Sequence, residues 1–153
     1  MPSAILWDAR PTAQTIIATT GALKNLANAA IAVSDEVENG TALKTKADLL
    51  LYVHDFAAAP TAGGYFECHV VYQMDAVYGD GEDGDLADPN LSANTYVGQF
   101  PIIATDEDMH ISLMGVEIYP HDFKVCVKNS TGQAIPNTDG SYLKIYTYSH
   151  ESQ

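Results

Sequence analysis

The sequence has few basic residues, few cysteines and no long apolar run. Seven Lys and Arg stand against 20 Asp and Glu, which gives a net charge of −13 at pH 7. Nucleic-acid binding needs clustered Lys and Arg to contact phosphates, so we expect no nucleic-acid partner. The negative charge also opposes adsorption to anionic membranes, and no apolar run reaches the ~20 residues of a membrane-spanning helix.

The cysteine content and the first twelve residues indicate in which cellular compartment the chain is made. Cys68 and Cys126 are too few for a disulfide framework, so we expect buried, reduced thiols. A bridge between them stays open if their strands face each other. The segment MPSAILWDARPT has no basic stretch followed by an apolar one, so we expect no signal peptide and synthesis in a cytoplasm.

What the sequence does contain is a repeated alternation of apolar and polar residues. In Tyr65–Met74, every second residue from Phe66 to Met74 is apolar or aromatic, and the residues between them are mostly polar. This alternation is typical of a half-buried strand. The segment Ala22–Ala32 can also be read as an Ala-rich helix. The further strand candidates are Thr15–Thr20, Ala29–Ser34, Asp48–Phe56, Tyr96–Ala104, Met109–Tyr119, Phe123–Lys128 and Tyr142–Ser149.

Turn residues separate these runs and indicate the architecture. Segments such as Asn39-Gly40 and Asp139-Gly140 punctuate the chain. About eight short strands with such turns predict an all-β fold, an antiparallel β-sandwich or jelly roll. We predict one sandwich domain over residues 13–153 and an extended N-terminal arm over residues 1–12. Pro101 indicates an edge strand or bulge, and Gly115 indicates a bulge.

The segment Tyr78–Asn90 is acidic and contains glycines. Its carboxylates are ligands that Ca²⁺ prefers, but the spacing departs from an EF-hand. Counted from Asp80, Gly84 takes a ligand position and Asp85 takes the place of the required glycine. We therefore predict a polar surface loop and no cofactor, with calcium at Asp80–Asp88 as the alternative.

Catalytic motifs are absent from the sequence. It contains neither a Gly-x-Ser-x-Gly elbow nor a His-Glu-x-x-His pair. The adjacent pairs His54-Asp55 and His121-Asp122 point to opposite faces of a strand, so they do not form catalytic dyads. We therefore expect a protein that is not an enzyme and that holds no metal.

Aromatic and apolar residues mark the candidate partner-binding positions. The tyrosines of the last strand alternate and fall on one face, where they stack on sugars, fill an interface or cover their own sheet. An apolar group in the arm either anchors to a neighbour or packs on its own sandwich. The predicted partner-binding residues are Ile5, Leu6, Trp7, Tyr142, Tyr146 and Tyr148.

The segment VKNSTGQAIPNTDGSYLKIYTYS, from Val127 to Ser149, carries a family resemblance. A strand runs into the turn Asn129-Ser130-Thr131-Gly132, and the chain closes on a Tyr-containing strand. This resembles the C-terminal hairpin of a family of small tailed-bacteriophage virion proteins. Upstream of Phe123 the likeness is one of layout, and the acidic loop departs from it.

The resemblance implies a structural protein of the virion. We infer a capsid decoration, or cement, protein that binds the major capsid protein on the outside of the head, as a trimer or dimer. Small interfaces become strong through many copies, and negative charge suits an outer surface facing basic patches of a shell. The alternatives are a neck- or tail-associated virion protein and a carbohydrate-binding β-sandwich module.

Overall fold

The computed structural model describes residues 5–7, 12–56, 58–79, 86, 90–103 and 108–152, with the backbone alone for 5–7 and 150–152. Over these ranges the only helical element is a short 3₁₀ turn at Ala93–Thr95, and no helix is long and apolar enough to cross a membrane. The strands are β1 Ile5–Trp7, β2 Gln14–Ile17, β3 Ile31–Val33, β4 Lys46–Val53, β5 Tyr65–Met74, β6 Val77–Tyr78, β7 Tyr96–Pro101, β8 Met109–Glu117, β9 Phe123–Ser130, β10 Tyr142–Tyr148 and β11 His150–Ser152.

Two antiparallel sheets pack face to face. The four-stranded sheet has the order β2-β10-β4-β8, and the five-stranded sheet has β3-β9-β5 with β6 and β7 both paired to β5. The predicted strands correspond to β2–β5 and β7–β10. Numbered one to eight, these strands form sheets 1-8-3-6 and 2-7-4-5, which is the strand order of a jelly roll. The prediction of an all-β antiparallel sandwich is confirmed.

The core lies between the two sheets, and alternation decides which side chains enter it. Every second residue of β4, from Ala47 to Val53, is buried. The predicted inward face of β5 supplies Phe66, Cys68 and Val70 to the same core. Burying a Val, Leu or Phe side chain contributes roughly 1.5–3 kcal/mol, so this layer stabilises the fold.

The segment Ala22–Ala32 forms turns followed by β3. Asn25 and Ala29 have φ angles of 59° and 67°, which a right-handed helix does not allow. Their backbone N–H groups donate to the carbonyls of Pro136 and Asn129. These hydrogen bonds to distant segments replace the ones that an α-helix would form within itself. The strand interpretation is right for Ile31–Val33, and the helix interpretation is wrong.

The turn after β9 is organised by a fully buried amide. The Nδ2 group of Asn129 donates to the carbonyls of Leu26 (3.1 Å) and Gln133 (2.7 Å). Its Oδ1 accepts from the Thr131 N–H (3.1 Å) and hydroxyl (2.7 Å). Gly132 has a φ of +81°, and a Cβ there would lie 2.0 Å from the Thr61 hydroxyl oxygen. The motif that carries the family resemblance therefore determines local structure.

Cys68 and Cys126 lie on neighbouring strands but on opposite faces of the five-stranded sheet. The β5–β9 register pairs Cys68 with Val127 and His69 with Cys126. Because successive residues of a strand point to opposite sides, this one-residue offset separates the two sulfurs and excludes a bridge. Neither cysteine forms a disulfide. Burial raises the pKa of the Cys68 thiol and keeps it uncharged.

Both ends of the chain meet in a small sheet of their own. Strand β1 pairs antiparallel with β11, with Ile5 opposite Ser152 and Trp7 opposite His150. We call this pair the terminal ribbon. It includes the only residues of the predicted arm that are described before Thr12, and the boundary at residue 12 stays a prediction.

Candidate binding face

Part of the outer face of the five-stranded sheet is covered by the chain itself. Leu86, inside the acidic segment, is only 7% exposed and packs with Val71 and Cys126. Leu91 packs against the same cluster. The face of β5 that the sequence predicted to be mostly polar is thus half enclosed, because Leu86 and Leu91 pack on it. The carboxylates of Asp80–Asp85 and Asp88, to which the calcium alternative refers, lie outside the described residues.

A buried polar cluster sits beside this covered surface. His69 Nδ1 lies 2.9 Å from the Thr95 hydroxyl, and its Nε2 lies 3.4 Å from a Glu67 oxygen. Glu67 also accepts from Ser130 and Lys128. Burial lowers the pKa of His69 and keeps the imidazole neutral. Burial opposes ionisation of Glu67, but its hydrogen bonds outweigh that effect and lower its pKa. These contacts hold the 3₁₀ turn on the sheet.

The outer face of the four-stranded sheet, by contrast, reaches solvent. Its side chains are half-buried or exposed throughout. Tyr142, Tyr146 and Tyr148 share this face, as the alternation predicted, and their role in binding stays a prediction. We call this surface the open face; it carries Lys46, Asp48, Leu50, Tyr52, His110, Ser112, Met114, Tyr142, Lys144, Tyr146 and Tyr148.

A β-bulge creates a cleft at one end of the open face. The register passes from Ala47 opposite Val116 to Leu49 opposite Leu113, so two residues of β8 oppose Asp48. One of them is Gly115, with a φ of +69°, which confirms the bulge predicted there. The resulting cavity of about 330 Å³ is named here the bulge cleft; Asp48, Leu49, Leu50, Ser112, Met114, Tyr146 and Tyr148 line it.

The carboxylate of Asp48 is held in a fixed orientation in this cleft. Its Oδ1 accepts from the Gly115 N–H at 2.7 Å and from the Tyr148 hydroxyl at 3.1 Å. Burial and the bond to Asp48 both raise the pKa of Tyr148, so its phenol stays a donor. Met114 is 68% exposed at the rim. The cleft therefore combines an oriented carboxylate with aromatic and apolar walls.

A row of three aromatic rings in tilted contact crosses the other end of the open face. The Tyr52 ring lies 4.4 Å from the His110 ring and 4.9 Å from the Tyr142 ring, centre to centre, with 34° between planes in both pairs. The ammonium of Lys144 lies 4.7 Å from the Tyr142 ring centre. We call Tyr142, Tyr52 and His110 the ring row. Along β10, Tyr142 lies roughly 20 Å from Tyr148 at the far end of the bulge cleft. On β4 and β8 the cleft begins only two residues, or about 7 Å, from the ring row, at Leu50 and Ser112.

Hydrogen bonds fix the polar edge of the ring row. The Tyr52 hydroxyl donates to Asp108 at 2.6 Å, and His54 Nδ1 lies 3.0 Å from the other Asp108 oxygen. The bond to Asp108 raises the pKa of Tyr52 to about 12 and lowers that of Asp108. The adjacent pair His54-Asp55 is not a dyad, because Asp55 accepts instead from the Phe56 N–H.

The grouping of these side chains suits binding by contact. Across the described residues, no three His, Cys, Asp or Glu side chains are placed to hold a metal ion. Sequence reasoning identified the tyrosines but missed Asp48, Tyr52, Asp108 and His110. Alternation along β4 carried a signal for two of them, since Asp48 and Tyr52 share a face. The other two depend on strand pairing that the sequence does not display.

Comparison with known proteins yields a weak structural similarity. No protein-family model matches the chain, and no curated protein matches it. Among solved structures the chain is similar to the carbohydrate-binding module CBM36 in complex with calcium and xylotriose. The identity is 12%, the TM-score is 0.42, and 100% of both chains is covered. A similarity of this size says nothing about function.

Proposed function

We propose that the chain is a structural protein of a tailed-phage virion, a decoration protein that attaches to the outside of the head. The observation that carries the proposal is the open face, a tyrosine-rich sheet surface on a jelly roll whose described side chains are half-buried or exposed. The likeness of Val127–Ser149 to phage virion proteins supports the choice of particle. Jelly rolls occur in viral capsid and lectin domains alike, so the fold alone does not choose between them.

Attachment would rest on surface burial. The bulge cleft offers exposed Met114 and two tyrosines, which are residue types that interfaces favour, beside the apolar side chain of Leu50. The terminal ribbon continues from the same end of β10, so both lie toward one side of the domain. A net charge of −13 complements basic patches on a major capsid protein. Repetition over many copies strengthens small contacts.

Binding to purified heads that lack their outer proteins tests this proposal. We expect saturable binding by the intact chain and at least tenfold weaker binding by a Leu50→Ser/Met114→Ser variant. Ile103→Ser is the matched control, because Ile103 is 72% exposed and does not line the cleft. Removal of residues 1–12 should also weaken binding. Binding to purified necks or tails but not to heads would move the protein to the neck or tail.

A carbohydrate-binding function is the second candidate, and the ring row favours it. Aromatic rings stack on the apolar face of a sugar, while an adjacent carboxylate accepts hydrogen bonds from the sugar hydroxyls. Tyr52, Tyr142 and His110 supply the rings, and Asp108 supplies the carboxylate. Calorimetry with oligosaccharides in the absence of any phage particle tests this. Binding that a Tyr142→Ala substitution abolishes would favour this function, and no binding to a broad glycan panel would exclude it.

A further inference from the structure

The charge of Asp48 has no cationic partner among the described residues. The two lysines of the open face are engaged elsewhere, since Lys46 pairs with Glu117 at 2.9 Å and Lys144 lies over the Tyr142 ring. Both hydrogen bonds described for Asp48 reach Oδ1, and none reaches Oδ2. Asp48 therefore presents an oriented, uncompensated carboxylate oxygen to a ligand.

The walls around this carboxylate narrow the class of ligand. Tyr146 and Tyr148 supply aromatic surface, and Leu50 and Met114 supply apolar surface. A planar guanidinium matches this set, because it bonds a carboxylate while stacking on an aromatic ring and laying its methylene stem on apolar groups. An ammonium is a compact point charge and makes less use of the rings.

The size of the cleft points in the same direction. At about 330 Å³ it lies at the lower end of ligand-pocket volumes, which run from roughly 300 to 1,000 Å³. It suits one inserted side chain better than an oligosaccharide. The chain's net charge of −13 further favours a cationic ligand group.

We propose that the bulge cleft receives an arginine side chain of the partner protein, with Asp48 as its anion and the tyrosines as its stacking surface. This inference rests on the proposed function, and it names the chemistry by which the partner is recognised. The guanidinium donates to Oδ2 of Asp48, while the Gly115 N–H and the Tyr148 hydroxyl hold Oδ1 in place. In this proposal the β-bulge orients the Asp48 carboxylate toward the ligand, because the Gly115 N–H of the bulge donates to its Oδ1.

Small-molecule probes test the cleft without any phage particle. Amide NMR spectra of the intact chain would be recorded during titration with N-acetyl-arginine amide or its neutral isostere, N-acetyl-citrulline amide. We expect saturable shifts of the Gly115 and Ser112 signals with the arginine probe, and about tenfold weaker binding with citrulline. Equal binding of the two probes, or no shift with either, would overturn the inference. Shifts at Gly115 with xylose but not with arginine would assign the cleft to sugars instead.

Two variants locate the effect. Asp48→Asn keeps an oxygen that accepts from Gly115 and Tyr148, so the fold should persist while arginine binding falls about tenfold. Asp75→Asn is the matched control, because Asp75 is an exposed carboxylate in the turn between β5 and β6, outside the cleft, and its replacement should leave binding unchanged. Unchanged binding by Asp48→Asn would contradict the role of Asp48.

Head binding separates the two proposals. If the intact chain binds heads and Asp48→Asn binds them equally well, the arginine site is wrong and the decoration function stands. If the intact chain ignores heads while the arginine probe binds, the function fails and the cleft has another partner. We expect Asp48→Asn to weaken head binding and to reduce its dependence on salt concentration.

Discussion

Replacement of Asn129 by alanine tests the claim that the turn motif serves the fold. The side chain is fully buried and makes four hydrogen bonds. After its removal the Leu26 carbonyl still accepts from Ile135, and the Gln133 carbonyl still accepts from the Thr131 hydroxyl. The Thr131 N–H alone loses its partner. One orphaned buried donor at about 1–3 kcal/mol, with three further bonds near 1 kcal/mol each, gives a loss of about 4–6 kcal/mol.

Thermal and urea unfolding monitored by circular dichroism measure this loss. A change of about 5 kcal/mol in a chain of this size lowers the melting temperature by roughly 15 °C. Asn28→Ala is the matched control, because Asn28 is exposed and makes one described bond to the same turn, to the Gly132 N–H at 2.9 Å. We expect it to cost at most about 1 kcal/mol. If Asn129→Ala were no more destabilising than Asn28→Ala, the reasoning about the buried amide would be refuted.

Three further predictions concern the covered side of the sandwich. Cys68 and Cys126 should both react with a thiol reagent in urea without prior reduction, whereas a disulfide would leave no reactive thiol. Because burial lowers the pKa of His69, the unfolded chain binds the proton more readily, and the free energy of unfolding should fall as pH drops below about 6.5. His69→Gln should flatten that slope in urea titrations, and an unchanged slope would contradict this. Leu86→Ala should cost about 2 kcal/mol and speed proteolysis of the acidic loop, and a stability equal to wild type would show that the loop does not anchor there.

Local patterns were sufficient to predict most of the strands. The bounds of β5 coincide with the predicted Tyr65–Met74. A half-buried strand has apolar and polar residues in alternation, and this pattern is visible in the sequence alone. Gly115 and Pro101 likewise marked a bulge and an edge strand, since each residue restricts what the backbone can do there. The Ala-rich segment misled, because its backbone groups bond to residues far away in sequence.

The candidate site was less predictable, because its members meet only through strand pairing. Tyr52 and Asp108 are 56 positions apart and share a hydrogen bond. Asp48 gains its orientation from a bulge in β8, which reading β4 alone does not indicate. The burial of Leu86 is a similar case. A single apolar residue within an acidic loop belongs to no periodic pattern, so the sequence does not indicate which surface it packs against.

The terminal ribbon has a consequence for protein engineering. Since Ile5 lies opposite Ser152, the backbone at the two ends is separated by about 5 Å. A short linker could therefore join them, and new ends could be opened at the exposed turn around Ala62 and Gly63. A circular permutant of this kind would keep both sheets and the open face while moving the chain ends to a different loop. Cargo fused before Ile5 or after Ser152 would therefore leave the domain from one point.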